Sequence, residues 1–338
     1  MNVHYHDYTF KSIKYYMKDV KMNAVIYTQY GAADVLHLDI FSKPVPKDNE
    51  VLVKIKATSV NSGDIRLRKA DPFAVRFFFG LFKPKINILG SVFSGEVEAV
   101  GKSVTRFKVG DEVFGSTDMR FGSYAQYISV SSTGAISLKP KNISHKEAAA
   151  IPFGGTTALH FIRKADIKRG QKVLIYGATG AVGTAAVQLA KYYGAQVTAV
   201  CSTSGIEMVK SIGADRVIDY TKENISSGNE RYDVVYDTVN KLQVSVGFGL
   251  LKKKGNLILG AAGMSEMMTG MTYSMRGVNV FAGVIKKTAD DIEFLKRRVE
   301  DGSLKAIIDS SYQLEQMADA HRYVEKGHKK GNVVVEIY

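Results

Sequence analysis

The stretch that most constrains this chain is Val173-Leu-Ile-Tyr176, which runs into Gly177-Ala-Thr-Gly-Ala-Val-Gly183 and places Val182, Ala186, Leu189, Ala190 and Tyr193 at helical spacing. A short, wholly apolar run suits a strand buried on both faces of a parallel sheet. Glycines at 177, 180 and 183 let the backbone turn tightly and approach a pyrophosphate. The helix they open presents free N–H groups and a positive dipole end. The spacing G-x-x-G-x-x-G is a variant of the dinucleotide fingerprint, and a second strand at 196–200 falls where a βαβ unit requires it. The alternation continues through a helix at 207–212 and strands at 216–218, 233–236 and 256–259. It predicts a doubly wound α/β domain.

The end of the second strand selects the dinucleotide. An NAD site usually carries Asp or Glu about 20 residues past the glycines to hold the ribose hydroxyls. Here the strand ends Ala199-Val-Cys-Ser-Thr-Ser204, without an acid. Ser202 and Thr203 can donate hydrogen bonds to a 2′-phosphate that a carboxylate would repel, so NADPH is the expected cofactor. Cys201 is expected to be a small packing residue.

Residues 22 to about 150 read differently, as short strands separated by Gly, Pro and Asp-Asn turns. Val51-Leu-Val-Lys-Ile-Lys-Ala57 alternates with period two, and similar patterns fall at 95–101, 111–114 and 124–130. Past about 290 come helical patterns at 291–300 and 314–326, and strand patterns near 306–309 and at 332–337. Residues 1–21 are expected to be a poorly ordered extension, with a short basic amphipathic helix as the alternative.

Composition narrows the class. Apolar residues at 45% and charged residues at 23% exclude disordered and fibrous architectures. A net charge of +13 permits an anionic partner without choosing one. The single cysteine excludes an intrachain disulfide, a four-cysteine zinc site and an iron–sulfur cluster, and points to a reducing, cytoplasmic setting. No apolar run approaches the roughly 20 residues that span a bilayer. The opening segment has neither the apolar core of a secretory signal nor the arginines of a mitochondrial one.

Gly177-Ala-Thr-Gly-Ala-Val-Gly-Thr-Ala-Ala-Val-Gln-Leu-Ala-Lys191, with Gly194-Ala-Gln-Val197, Gly213-Ala-Asp215 and Val217-Ile-Asp-Tyr220, resembles the medium-chain dehydrogenase/reductase superfamily, in its zinc-independent quinone oxidoreductase branch. Val60-Asn-Ser-Gly-Asp64, Phe93-Ser-Gly-Glu-Val-Glu-Ala-Val-Gly101, Phe107-Lys-Val-Gly-Asp-Glu-Val-Phe114, Gly155-Thr-Thr-Ala158, Ala320-His-Arg-Tyr-Val324 and Gly331-Asn-Val-Val-Val335 are similar to its landmarks. The likeness runs from about residue 22 to the end. It implies a GroES-like, mostly-β catalytic domain of 22–150 completed by 291–338, a Rossmann domain of 151–290, and a cofactor in the cleft between them. It implies that Asn61 and Thr157 lie near the nicotinamide, and that Gly177, Ala178, Thr179, Gly180, Ala181, Val182 and Gly183 wrap the pyrophosphate. Ser202, Thr203 and Tyr220 would surround the 2′-phosphate. Gly260 and Ala261 after Leu259, Phe281, and Asn332 would lie along the cofactor. A homodimer joined through an edge strand at 278–282 is also implied.

Zinc-dependent relatives place a Cys where this chain has Asn61, a His where it has Ser91, and a Cys or Asp near Phe153. None of the three residues present can ligate zinc. What remains is hydride transfer to an acceptor that is already electrophilic, a quinone or the β-carbon of an enone. Such an acceptor needs mainly positioning and a few hydrogen-bond donors. Asn61 is expected to be a donor near the acceptor or ribose, with the final proton coming from water or a pocket hydroxyl.

The chain departs from the family pattern in places. Arg66 replaces an aromatic hydroxyl and is either a cation at the pocket mouth or a surface residue. Val92 replaces an acid. Ser204-Gly-Ile206 lacks a basic residue, leaving the phosphate to Ser202, Thr203, Tyr220 and Lys330. Phe78, in the aromatic stretch 72–84, and Met264, Met267, Met268 and Met271 either wall an apolar pocket or fill core gaps. The rival functions are an enoyl-thioester reductase and a non-catalytic NADPH-binding protein. The lysines scatter without a nucleic-acid motif, so an RNA partner is not expected.

Overall fold

The computed structural model describes residues 20–261, 268, 269, 272, 274 and 277–338. The expectations for residues 1–19 and for Met264, Met267 and Met271 lie outside the described residues.

An antiparallel pair, β1 (Lys21–Ile26) and β2 (His37–Ser42), opens the fold. It leads into β3 (Glu50–Val60), α1 (Ser62–Lys69), α2 (Val75–Phe79), β4 (Val92–Val100), β5 (Glu112–Ser116), β6 (Tyr127–Ser131) and β7 (Ile136–Leu138). The long β3 is the axis of this mostly-β body. It pairs with β4 on one side and with β6 along its first half on the other. Period two predicts a half-buried strand, yet within β3 only Lys54 is exposed. Val51, Val53 and Ile55 bury against Phe93, Val97 and Val113. Ala57, near the far end of the strand, packs instead with Ala149 and Ala150. These alanines come from α3 (His145–Ala150), which starts at a reciprocal cap: Ser144 N donates to Glu147 Oε2 at 2.8 Å and Glu147 N to Ser144 Oγ at 3.3 Å.

Next comes α4 (Pro152–Lys164), with proline in its first turn, where the missing N–H costs nothing. Beyond it lie β8 (Lys172–Tyr176), α5 (Ala181–Tyr192), β9 (Gln196–Cys201), α6 (Ile206–Ser211), β10 (Arg216–Asp219), β11 (Tyr232–Asp237), α7 (Val244–Gly249), β12 (Leu251–Leu259) and β13 (Asn279–Ala282). The six strands run β10-β9-β8-β11-β12-β13, and every pairing is parallel. Strand order therefore reverses between β8 and β11, the point at which open α/β sheets bind ligands beyond their carboxyl ends. As expected for 278–282, β13 is an edge.

The chain then forms α8 (Ala289–Glu300), β14 (Ile308–Gln313), α9 (Met317–Glu325) and β15 (Asn332–Glu336). β15 adds to β3 antiparallel, Val333 opposite Val60, and carries β14 as the outer strand of the first sheet. The C-terminal segment thus completes the mostly-β body. Among the described residues no helix is long and apolar enough to cross a membrane.

Candidate active site

The glycine loop sits at the β8/β11 reversal. Gly177 has φ +77°, and a Cβ there would lie 2.7 Å from Val239 Cγ1. A Cβ on Gly183 would lie 2.2 Å from Gly177 O, so α5 starts against the loop only because both positions lack side chains. Gly180 caps α5 without any side-chain hydrogen bond, leaving the first-turn N–H groups of Ala181, Val182 and Gly183 for a ligand. Gly331 N donates to Thr179 O at 2.7 Å, which stitches the C-terminal landmark to the loop. The neighbouring Asn332 donates from Nδ2 to Ile307 O at 3.0 Å, while its buried Oδ1 has no partner. An uncapped helix start, open space above Gly180 and an unpaired amide oxygen fit a dinucleotide.

At the far end of β9, Tyr220 is half exposed and stacks on Tyr176 with ring centroids 6.4 Å apart at 28°. Sequence reasoning found no acid on β9, but the neighbouring strand β10 ends in one. Asp219 accepts from the hydroxyls of Thr203 and Thr221 and from Thr221 N at 3.0 Å. The two hydroxyls hold its carboxyl below the usual range. Thr203 therefore spends its proton on Asp219, which leaves Ser202, whose hydroxyl lies 3.4 Å from Ser204 Oγ, as the available donor of the expected pair. The signal was present in Val217-Ile-Asp-Tyr220, beside the tyrosine that drew attention. Cys201 is buried, and burial pushes its thiol up to about 11, as a packing role requires.

The other end of the cleft is built on the start of α1. Asn61 is buried, and its Nδ2 lies 3.2 Å from both Ser59 O and Ser59 Oγ. Asn61 N donates to Asp64 Oδ2 at 2.9 Å and Gly90 N to Asp64 Oδ1 at 3.1 Å. Burial raises the Asp64 carboxyl to about 6 against these donors and the Tyr124 hydroxyl. The Tyr124 hydroxyl helps hold the Asp64 carboxyl down and also lies 3.1 Å from His321 Nε2. Neither this tyrosine nor this histidine was singled out as a site residue.

Other expected residues are spread along the cleft. Thr157 lies on α4, its hydroxyl donating back to Phe153 O at 2.8 Å. Arg66 reaches from α1 to Ala261 O at 3.1 Å, spanning from the first sheet's domain to the loop after β12. Gly260 N donates to Asp237 O at 2.9 Å at the end of β11. Phe281 packs instead against the core shared with α4, with Lys164 Nζ 5.5 Å from its ring centroid. α2 is little more than one turn, and it turns Phe79 inward onto Phe121 while leaving Phe78 79% exposed.

One cation escaped the sequence reading. Lys287, between β13 and α8, directs Nζ to Ser116 Oγ at 3.2 Å and lies 5.6 Å from the Phe153 ring centroid. Ser116 Oγ in turn donates to Ser91 O at 2.8 Å. Burial lowers the ammonium's pKa, opposed by the nearby Asp118 and Asp64 carboxylates. Lysine in a helix-flanking loop carries no sequence signal; only the fold brings it beside positions 91 and 153.

Residues 47–140 match the alcohol dehydrogenase GroES-like domain and residues 212–335 the zinc-binding dehydrogenase domain. A 2-methylene-furan-3-one reductase of Solanum lycopersicum is 34% identical over 331 residues, covering 93% of this chain and 79% of that protein. An NADPH-dependent alkenal/one oxidoreductase of Arabidopsis thaliana, chloroplastic by name, is 32% identical over 327 residues, covering 93% and 79%. The quinone oxidoreductase from Coxiella burnetii superposes with a TM-score of 0.86 at 28% identity, covering 94% of this chain and all 100% of that one. The chain belongs to the medium-chain dehydrogenase/reductase superfamily, in its quinone oxidoreductase-like branch.

The name of the second matched domain raises zinc. Asn61, Ser91 and Phe153 are not zinc ligands, and among the described residues no three His, Cys, Asp or Glu side chains form a group able to hold a metal. The residues present do not fit the metal.

Proposed function

We propose that the chain is an NADPH-dependent oxidoreductase that reduces quinones or α,β-unsaturated carbonyls without zinc. The donor set carries this reading: a dinucleotide loop shares a cleft with a corner where Asn61, Ser91 and Phe153 occupy the metal-ligand positions of zinc relatives. Bound NADPH would supply the hydride. The chain's part is to hold and orient. The N–H groups of Ala181, Val182 and Gly183 take the pyrophosphate, Ser202 and Tyr220 the 2′-phosphate end, and Asn61, Thr157 and Asn332 the nicotinamide half. Arg66, bonded to Ala261, ties the two domains across the cleft and excludes water.

On this reading 22–150 with 291–338 form the catalytic domain, 151–290 the cofactor domain, and β13 the seam of a homodimer. A cytoplasmic location accords with the lone buried thiol. Relatives with chloroplastic and mitochondrial names make cell fractionation the test of it.

The test of function is NADPH consumption, followed at the nicotinamide absorbance, with a quinone and an enone and with a chelator present. Acceptor-dependent, chelator-insensitive oxidation supports the reading. Abolition by the chelator overturns its zinc-free part. Tight NADPH binding without turnover of either class favours the thioester or non-catalytic alternatives.

A further inference from the structure

We propose that Lys287 is a catalytic residue whose ammonium binds the carbonyl oxygen of the acceptor and delivers the proton that completes its reduction. This rests on the function proposed above and names the electrophile that the zinc-free site requires.

An ammonium carries three N–H donors. Among the described residues Lys287 Nζ uses one, on Ser116 Oγ, and makes no ion pair. That hydroxyl is itself saturated, because it donates to Ser91 O at 2.8 Å and accepts from Asp118 N at 3.1 Å. It can hold the ammonium but cannot neutralise it. The wall beside it is the Phe153 ring, which stabilises a cation while shedding water. Asp64 and Asp118 attract the charge from α1 and from the turn after β5 without pairing with it. Arg68 shows what a structural cation in this body looks like, since it is buried and bonded to Glu325. Lys287 has unused donors and no such partner.

Its neighbours place it at the reacting end of the cleft. Phe153 O accepts from Thr157, and Asp64 accepts from Asn61 N; both partners are assigned above to the nicotinamide half. An oxyanion forming beside Nζ would meet a fixed positive charge in a water-poor site, where such charges act most strongly. For an enone, hydride adds at the β-carbon, the C=C pair moves toward carbonyl carbon, and the C=O pair settles on oxygen. The Nζ–H bond breaks as O–H forms. The enol becomes the ketone in water, NADPH leaves as NADP+, and the neutral amine regains its proton from solvent. A desolvated lysine, easier to deprotonate than one in water, suits this transfer.

The test uses the full chain and compares Lys287→Gln and Lys287→Arg with wild type, with 2-cyclohexenone as substrate. The first readout is kcat against pH. A second, independent of turnover, is the carbonyl stretch of carbonyl-13C-labelled cyclohexanone bound beside NADP+. Wild type should show a lowered carbonyl frequency and a kcat that falls as pH rises through the lysine's pKa. Lys287→Gln should lose both and fall about 10²–10³-fold in kcat with NADPH affinity retained. Lys287→Arg should keep the carbonyl shift and lose the alkaline fall. If Lys287→Gln does not fold, the Arg variant decides, because an unchanged alkaline limb overturns the assignment. Wild-type turnover with kcat, pH profile and carbonyl frequency unmoved in Lys287→Gln refutes the role of Lys287 and leaves the function standing. Absence of wild-type turnover with any enone or quinone refutes the function itself.

Discussion

Gly180 and Gly183 make opposite predictions from the same loop. Gly180 has φ −74° and ψ 173°, an ordinary extended conformation, and a Cβ there would find only Gly177 O, at 3.7 Å. Gly180→Ala gains about 0.4–1 kcal/mol from a less free unfolded chain. It loses a similar amount, since alanine caps helices worse than glycine. The two terms nearly cancel, so Tm should stay within about 3 °C. The added methyl occupies the space through which a pyrophosphate would approach the N–H groups of α5. Losing one or two charge-assisted hydrogen bonds costs about 1.5–3 kcal/mol each, or about 10–100-fold in NADPH Kd for the first. Gly183→Ala instead drives a methyl to 2.2 Å from Gly177 O and 2.7 Å from Ala178 Cα, both rigid backbone. It should lower Tm by itself, by about 1–3 kcal/mol of overpacking. Nucleotide titration by fluorescence, run beside thermal unfolding, separates the two. A Gly180→Ala protein that melts early yet binds NADPH normally would falsify the placement of the pyrophosphate.

Other expectations follow from particular contacts. Asp219→Asn removes a carboxylate beside Thr203 and should tighten NADPH about fivefold, the scale of an exposed charge interaction of about 1 kcal/mol. NADH should be unaffected, and equal changes for the two nucleotides would count against Tyr220 marking the phosphate end. His321 is buried and held neutral, its pKa lowered to about 3 by burial and then by Arg68. The unfolded chain binds that proton near pH 6.5, so stability is present above that pH and falls as pH drops, by about 2 kcal/mol at pH 5. Denaturant titrations at pH 7 and pH 5 should show that loss in wild type and not in His321→Gln. Arg66→Ala cuts the bond to Ala261 and should raise the NADPH off-rate several-fold in stopped-flow with Tm nearly unchanged; an unaltered off-rate would mean the bridge holds nothing closed.

The nucleotide-binding half was legible because each step leaves a mark in sequence. Glycine is required at 177 by a positive φ and at 183 by close backbone, and β8, β9 and β11 carry buried apolar centres, Val173–Ile175, Ala199–Cys201 and Val234–Tyr236. The N-terminal half of β12 was missed for the converse reason. Lys252, Lys253 and Lys254 point to solvent there, and apolar periodicity cannot register a strand exposed on that side. The strand expected at 306–309 begins at Ile308, where the parallel ladder to β15 opens with Asn332 N donating to Ile307 O at 2.8 Å. Asp219, Tyr124, His321 and Lys287 were illegible as a site for a different reason. Each comes from a separate segment, and no spacing rule connects residues that meet only after β10 lies beside β9 or α9 brings His321 to Tyr124.

The electrostatics of that corner argue that it is kept for chemistry. Asp64 is raised to about 6, His321 lowered to about 3 and Lys287 lowered, and burial is the first cause in all three. Each shift favours the neutral form: those of Asp64 and Lys287 lower stability at neutral pH relative to an ordinary side chain, and that of His321 does so below about pH 6.5. A fold under selection for stability alone would pair these groups or replace them with apolar ones of like volume. Instead a polar chain runs from His321 through Tyr124 to Asp64 and Asn61, with an unpaired ammonium beside it. Fixed donors of this kind are costly in the resting protein, and they become useful when negative charge develops between them. Three such groups gather around Asn61, Ser116 and Phe153, the corner assigned to the nicotinamide half, which is where a hydride acceptor would lie.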